Sequence, residues 1–207
     1  MFPSWHLIVF LLAAILSAGL TLFIRRLALT KNIGVSSPRP RDIHTKPIPR
    51  IGGIGLDVSF LIMTLGVIVV FPKAVAFIPT TVLGIDRNLF GILAGVIVLA
   101  VTGVIDDIYG LTPWSKLTFH FLAGGILAWS AVLVPHLTNP FGGTIILGFL
   151  AYPFVVLWVV AMINVINWLD GLDGLAAGVS LIATVVLYLL AMKPEVNQTA
   201  MAVLAVI

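Results

Sequence analysis

Long apolar runs separated by short polar clusters set the pattern of this chain. A helix needs about 20 mostly apolar residues to cross the hydrocarbon core of a bilayer. Runs near 5–24, 51–71, 89–105, 117–134, 144–163 and 175–192 meet that requirement. A seventh begins near Gln198 and reaches Ile207 after about half the length a span requires. A helix ending there leaves backbone groups unsatisfied in lipid, so the pattern predicts the N-terminal part of a longer protein. On that reading residues 1–207 insert in a membrane but do not catalyse alone. The predicted fold is an all-α, polytopic transmembrane bundle in a single membrane domain, with six full spans and a truncated seventh.

The polar intervals sort by parity. Two predicted spans separate the segment 25–50 from the segment 106–116, and two more separate that from 164–174. All three segments therefore face one side. They hold Arg25, Arg26, Lys31, Arg39, Arg41, Lys46, Arg50 and Lys116, whereas Lys73, Arg87 and Lys193 fall on the other side. The excess of positive charge predicts that the three segments are cytoplasmic and the N-terminus external. Met1 to His6 carry no Lys or Arg, and Arg25-Arg26 follow the first apolar run directly, so this run is an anchor rather than a cleaved signal. The external intervals 72–88, 135–143 and 193–197 are punctuated by Pro72, Pro79, Pro135, Pro140 and Pro194. There is no internal repeat.

Composition narrows the chemistry. Hydrophobic residues make up 60% and charged residues 9% of the chain, which leaves little room for a soluble domain and argues against nucleic acid as a partner. With no cysteine, disulfides, thiolate metal sites and cysteine nucleophiles are excluded. Only eight acidic residues are present, and four of them stand in two motifs at the ends of apolar runs. These are Asp106 and Asp107 in VIDDIYGLTPWSK, and Asp170 and Asp173 in NVINWLDGLDGLAAG. A carboxylate at a membrane boundary is costly unless it is paired or functional. Clustered carboxylates near basic residues suit a hard cation such as Mg²⁺ and a phosphate-bearing substrate.

Each motif has a plainer reading. Asp106-Asp107 could be solvated residues at a helix end, but two acids there oppose the helix dipole. Thr112-Pro113 reads as an N-cap followed by proline in the first helical position. Lys116 then falls in the first turn, where it either binds phosphate and balances the acids or simply snorkels to the interface. Asp170 and Asp173 share a face if their segment is helical, as do Asn164 and Asn167. A polar packing seam would account for the asparagines and for Gly171, Gly174 and Gly178, but not for two carboxylates. In HTKPIPRIGG (44–53), two prolines stiffen an extended segment that presents His44, Lys46 and Arg50 at the membrane surface. Such groups suit diphosphates or anionic headgroups, although topology alone explains much of the basic run. Asp57 lies just inside the second span, and His120 lies one turn beyond Lys116. His6, His136 and the five tryptophans read as interfacial or packing groups.

HTKPIPRIGG, DDIYGLTPWSKL and NVINWLDGLDGLAAG, in this order and on one predicted face, resemble the polyprenyl-phosphate N-acetylhexosamine-1-phosphate transferases, glycosyltransferase family 4. The Pro-Arg-x-Gly-Gly ending of the first motif is closer to the GlcNAc-1-phosphate branch than to the muramoyl-pentapeptide branch. The resemblance implies transfer of a sugar-1-phosphate from a UDP-N-acetylhexosamine to polyprenyl phosphate in the bilayer, with release of UMP, for cell-envelope polysaccharide synthesis. It implies Mg²⁺, for which Mn²⁺ can substitute, and is compatible with a homodimer. By carry-over, Asp106 and Asp107 serve cation binding and deprotonation of the nucleophile, with Asp173 a further metal ligand. Asn167, Asp170 and Asp173 would serve the nucleotide or the metal, and Lys46, Arg50 and Lys116 the phosphates. The division of roles within each pair stays open. The chain departs from the family at His120, where Gln is common, at Ser36, where Asp is common, and at Asp42, where a basic residue is common. The family's further spans, another aspartate motif and a histidine-containing loop are not found in residues 1–207.

Two rival readings remain. An intramembrane prenyltransferase also uses acidic motifs with Mg²⁺, but usually spreads them as DxxD or DxxxD on helices. An ion-coupled transporter calls for acids near the bilayer midplane and broken helices, whereas these acids lie at one boundary.

Overall fold

A computed structural model describes residues 4–36, 48–49, 51–78, 80–171, 174–193 and 205. Six helices account for most of them: α1 Ser4–Lys31, α2 Gly53–Val70, α3 Arg87–Tyr109, α4 Pro113–Trp129, α5 Ala151–Leu169 and α6 Leu175–Ala191. Each matches one predicted run. Four helical segments, Trp5–Lys31, Gly53–Val70, Arg87–Tyr109 and Gly148–Leu169, are long and apolar enough to cross a membrane. The predicted seventh span lies outside the described residues, apart from Ala205, which is helical.

Helix ends differ from the apolar runs for identifiable reasons. α1 continues past Arg25-Arg26 to Lys31, because arginine propagates a helix well and need not mark its end. Asn32, at φ 53°, then turns the chain. α4 starts at Pro113 as expected but stops at Trp129, short of the predicted 134. The Ala131 N–H donates to the Ala128 carbonyl, and the Val132 N–H to the Leu127 carbonyl, both at 3.1 Å. That pair of bonds is a Schellman ending, with Ala131 in the left-handed region at φ 64° where glycine is usual. α5 begins later than the predicted 144 and runs further, to Leu169.

The all-α expectation holds for the helices and omits three small antiparallel ribbons. β1 Val35–Ser36 pairs with β2 Ile48–Pro49, β3 Thr81–Val82 with β4 Ile85–Asp86, and β5 His136–Thr138 with β6 Thr144–Ile146. Residues 144–146 were expected to open the fifth span. Instead Gly142 and Gly143, at φ 107° and 80°, let the chain fold back so that Thr138 pairs with Thr144 and His136 with Ile146.

The chain divides into two compact units. One comprises Met1–Val75, Ala100–Thr112 and Tyr188–Ile207, and the other Ala76–Leu99 and Pro113–Leu187. In the first, α1 and α2 pack antiparallel. Trp5 stacks on Phe71 with ring centroids 4.9 Å apart, and Gly55 lies against the backbone of Thr21. A Cβ on Gly55 would stand 2.7 Å from the Thr21 nitrogen, so only glycine allows this approach. His6 is buried beside them, with its Nδ1 3.1 Å from the Tyr188 hydroxyl.

The second unit is held by α4 against α5 and by a buried carboxylate. Asp86 Oδ1 accepts the N–H groups of Asn88 and Leu89, at 2.9 and 3.1 Å, and so caps the start of α3. Its Oδ2 accepts those of Phe77 and Ile78, at 2.9 and 2.7 Å, pinning the preceding loop. Arg87 Nη2 donates to the Trp129 carbonyl, and its guanidinium lies 5.5 Å from the Trp129 ring centroid. The start of α3 is thereby tied to the end of α4.

Candidate active site

Of the eight predicted site residues, Asp106, Asp107, Lys116, Asn167 and Asp170 are described, whereas Lys46, Arg50 and Asp173 lie outside the described residues. Around the first motif, Val35 pairs with Pro49 and Ser36 with Ile48, just before α2.

Asp106 and Asp107 occupy the last turn of α3, both half-buried. The helix ends because Gly110 adopts φ 71° and donates its N–H to the Asp106 carbonyl at 2.8 Å. One step on, the Leu111 N–H donates to Asp106 Oδ1 at 2.9 Å. Asp106 therefore caps its own helix with both backbone and side chain. This bond satisfies an otherwise orphaned amide and holds the carboxylate in one orientation. The plain reading as a helix-end residue is thus partly right for Asp106.

In the second unit, His120 on α4 faces Asn164 on α5, while Gly124 sits 3.2 Å, by its added Cβ, from the Val156 backbone. These two levels fix an antiparallel pair. Residues early in α4 and late in α5 consequently share one end, so Lys116, Asn167 and Asp170 fall at the same end of the pair. Asn164 Nδ2 donates to the Val160 carbonyl at 2.7 Å and lies 3.2 Å from His120 Nδ1. A carbonyl can only accept, so the amide orientation follows, and His120 Nδ1 must be the acceptor. The ring proton then sits on Nε2. Both residues stand out in the sequence, but nothing local in it pairs them across 44 positions.

Asp170 and Asp173 share a face only if their segment is helical, and Asp173 lies outside the described residues. α5 ends at Leu169, with Asp170 as its cap at ψ 34°, its N–H donating to the Ile166 carbonyl at 3.2 Å. Gly174, at φ 79°, then precedes α6. The helical spacing argument holds for Asn164 and Asn167, both in α5, whose last helical residue is Leu169. Asp170 is exposed.

The motif glycines differ from the four glycines at which helices approach closely. No described atom would lie within 4 Å of a Cβ on Gly52, Gly53, Gly110, Gly174 or Gly178, and Gly171 would meet only the Trp168 carbonyl at 3.8 Å. Gly55, Gly91, Gly95 and Gly124 are pressed against neighbours. The glycines in the motifs thus leave open backbone, as do Gly19, Gly66, Gly103 and Gly125 within helices, whereas Gly55, Gly91, Gly95 and Gly124 serve packing. A seam of small residues would have shown the reverse.

The family model for glycosyl transferase family 4 matches residues 89–207, more than half of the chain. The chain belongs to glycosyl transferase family 4. Three relatives agree. A "Probable undecaprenyl-phosphate N-acetylglucosaminyl 1-phosphate transferase" of Bacillus subtilis (strain 168) is 31% identical over 169 residues, covering 79% of this chain and 42% of the relative. A "Decaprenyl-phosphate N-acetylglucosaminephosphotransferase" of Mycolicibacterium smegmatis is 31% identical over 175 residues, 83% of this chain and 41% of the relative. Its namesake in Mycobacterium leprae is 32% identical over 158 residues, 72% and 36% respectively. The family-4 chain thus spans less than half the length of these relatives. No solved structure matches it.

Within this family-4 chain the described motif acids, Asp106, Asp107 and Asp170, stand at helix ends, in the last turn of α3 and at the cap of α5, not at mid-span in broken helices. That arrangement departs from the transporter pattern. Among the described residues no cluster of three or more His or acidic side chains forms a metal site. Mg²⁺ characteristically takes one or two carboxylates and keeps several waters. The adjacent, half-buried Asp106 and Asp107 meet that modest demand with hard oxygen donors.

Proposed function

We propose that the protein carrying this chain transfers N-acetylglucosamine-1-phosphate from UDP-N-acetylglucosamine to polyprenyl phosphate. The names of its relatives support the acceptor and the transferred group. The observation that carries the reading to this chain's own residues is the α4–α5 pair. It sets Lys116, Asn167 and Asp170 at one end, beside open glycine backbone.

An oxygen of the lipid phosphate attacks the phosphorus attached to the sugar. The bond from that phosphorus to the bridging oxygen breaks, and UMP leaves with the electron pair. The products are polyprenyl-diphospho-N-acetylglucosamine and UMP. All partners are anionic, so the protein's contribution is positioning and charge stabilisation. Lys116 holds phosphate oxygens, a task that Lys46 and Arg50 share. Asn167 and Asp170 orient the nucleotide, together with Asp173. Asp106 and Asp107 would hold Mg²⁺, and one of them would take the proton of a protonated lipid phosphate. When bound, the metal ion supplies neutralisation of the diphosphate charge. The Leu111 amide keeps Asp106 aimed, so that little reorganisation is needed as charge shifts.

The test is UMP release from UDP-N-acetylglucosamine, in the presence of polyprenyl phosphate and Mg²⁺, by the polypeptide that carries this sequence. Asp106→Asn, Asp107→Asn and Asp170→Asn are expected to lower turnover by about 10²-fold, the usual scale for losing one charge-stabilising group. Near-normal turnover in all three sinks the site assignment. The site faces the cytoplasm, where UDP-sugars are supplied. With no native cysteine, Trp114→Cys and Gly171→Cys report sidedness directly. Labelling of either by an impermeant thiol reagent outside intact cells contradicts the orientation.

A further inference from the structure

The β5–β6 ribbon is the least expected element of the fold, and its surface is unusual. Phe141 at its tip is 97% exposed, Ile146 on β6 is 82% exposed, and Phe149, just before α5, is 83% exposed. The tip is not slack chain. Asn139 Oδ1 accepts the Phe141 N–H at 3.0 Å, the Asn139 carbonyl accepts the Gly142 N–H at 3.0 Å, and the Asn139 N–H donates to the Gly143 carbonyl at 3.1 Å. The turn therefore holds Phe141 outward.

Three further facts bear on what covers these side chains. From Leu117 to Leu169 the sequence contains no Asp, Glu, Lys or Arg, so the ribbon lacks the charges that normally solvate an exposed strand pair. Partly exposed aromatic residues with polar atoms bracket it, Trp129 at the end of α4 and Tyr152 at the start of α5. Such residues favour the headgroup level. Finally, α4 has 17 residues, or roughly 25 Å of helix against a hydrocarbon core of about 30 Å. With Lys116 at one interface, a chain leaving α4 at Trp129 would reach the far side a few ångströms below the surface.

We propose that the β5–β6 ribbon is an interfacial element, seated among lipid headgroups with Phe141, Ile146 and Phe149 turned into the outermost acyl layer. Its partner is the phospholipid surface itself, on the side of the membrane where α4 ends and α5 begins. The location is interfacial, not deeper, because both outer edges of a two-stranded ribbon carry unpaired N–H and C=O groups. Those groups need water or headgroup oxygens, which the hydrocarbon core does not supply. No charged residue stands between the ribbon and the Gly148–Leu169 helical segment, so no charged boundary separates the two. It completes at the interface the depth that the short α4 leaves unspanned.

The experiment is site-directed spin labelling of the chain in proteoliposomes of phosphatidylethanolamine and phosphatidylglycerol. Phe141→Cys and Ile146→Cys are labelled one at a time, with Leu157→Cys in mid-α5 and Gly171→Cys at its cap as lipid and water references. Both reference side-chain positions are exposed. Oxygen collision is expected to exceed collision with a water-soluble nickel chelate at 141 and 146, as at 157. Nickel exceeding oxygen at 141 and 146, as at 171, would place the ribbon in water. Low collision with both would show a protein cover. Either result overturns the proposal.

Discussion

Asn164 and His120, 44 positions apart, meet at 3.2 Å between Nδ2 and Nδ1, and this bond joins α5 to α4 at the level of the proposed nucleotide motif. The same amide nitrogen holds the Val160 carbonyl at 2.7 Å, so both of its hydrogens are used. His120 is a buried histidine acting as an acceptor. The motif is thereby anchored by side-chain pairing as well as by helical backbone.

His120→Leu leaves one Asn164 N–H without an acceptor, and the expected loss of stability is about 1–3 kcal/mol. Adding Asn164→Leu removes the orphan and should restore part of that loss, giving a non-additive double-mutant cycle. Thermal unfolding of the three variants in one detergent measures it. Additive effects would mean that the two side chains do not pair.

Asp86 is expected to be the most sensitive acid for stability, although it lies far along the chain from every chemical motif. Asp86→Ala orphans four backbone N–H groups and removes a helix cap, at a cost of about 2–4 kcal/mol. Asp86→Asn keeps one acceptor oxygen and should fall between alanine and wild type. An unfolding midpoint unchanged in Asp86→Ala contradicts this hub.

Gly55→Ala forces a Cβ to 2.7 Å from the Thr21 nitrogen, and backbone cannot move aside as a side chain would. A loss of about 1–3 kcal/mol is expected, typical of overpacking. Gly66→Ala on the same helix meets nothing within 4 Å and should be neutral or gain up to about 1 kcal/mol from helix propensity. Comparable unfolding of both variants would show that α1 and α2 do not approach at Gly55.

Ala131→Gly should stabilise the protein, because Ala131 carries a left-handed φ of 64° to close α4. Relief of that strain is worth about 1 kcal/mol, less the extra freedom glycine gains in the unfolded chain. The measurement is the thermal midpoint. A clear decrease would indicate that α4 does not end in this turn.

The sequence by itself determined the six helices, the order of the motifs and the placement of the acids at helix ends. Those features rest on local physics: long apolar runs must satisfy their backbone internally in lipid, and proline and glycine punctuate where helices cannot continue. Thr112-Pro113 announced the start of α4 for that reason. The ends that went astray lacked such a marker. α4 stops at an alanine forced left-handed, and residues 144–146 join a ribbon although they are as apolar as a span. Only the tertiary structure decided which residues meet: His120 with Asn164, Gly55 with Thr21, Arg87 with Trp129, and Asp86 with the loop before α3. It also showed that Asp106 aims its carboxylate by capping its own helix, and that Asp170 stands outside α5. Hydropathy is a property of each segment, whereas these contacts depend on crossing geometry and register between segments far apart in the chain.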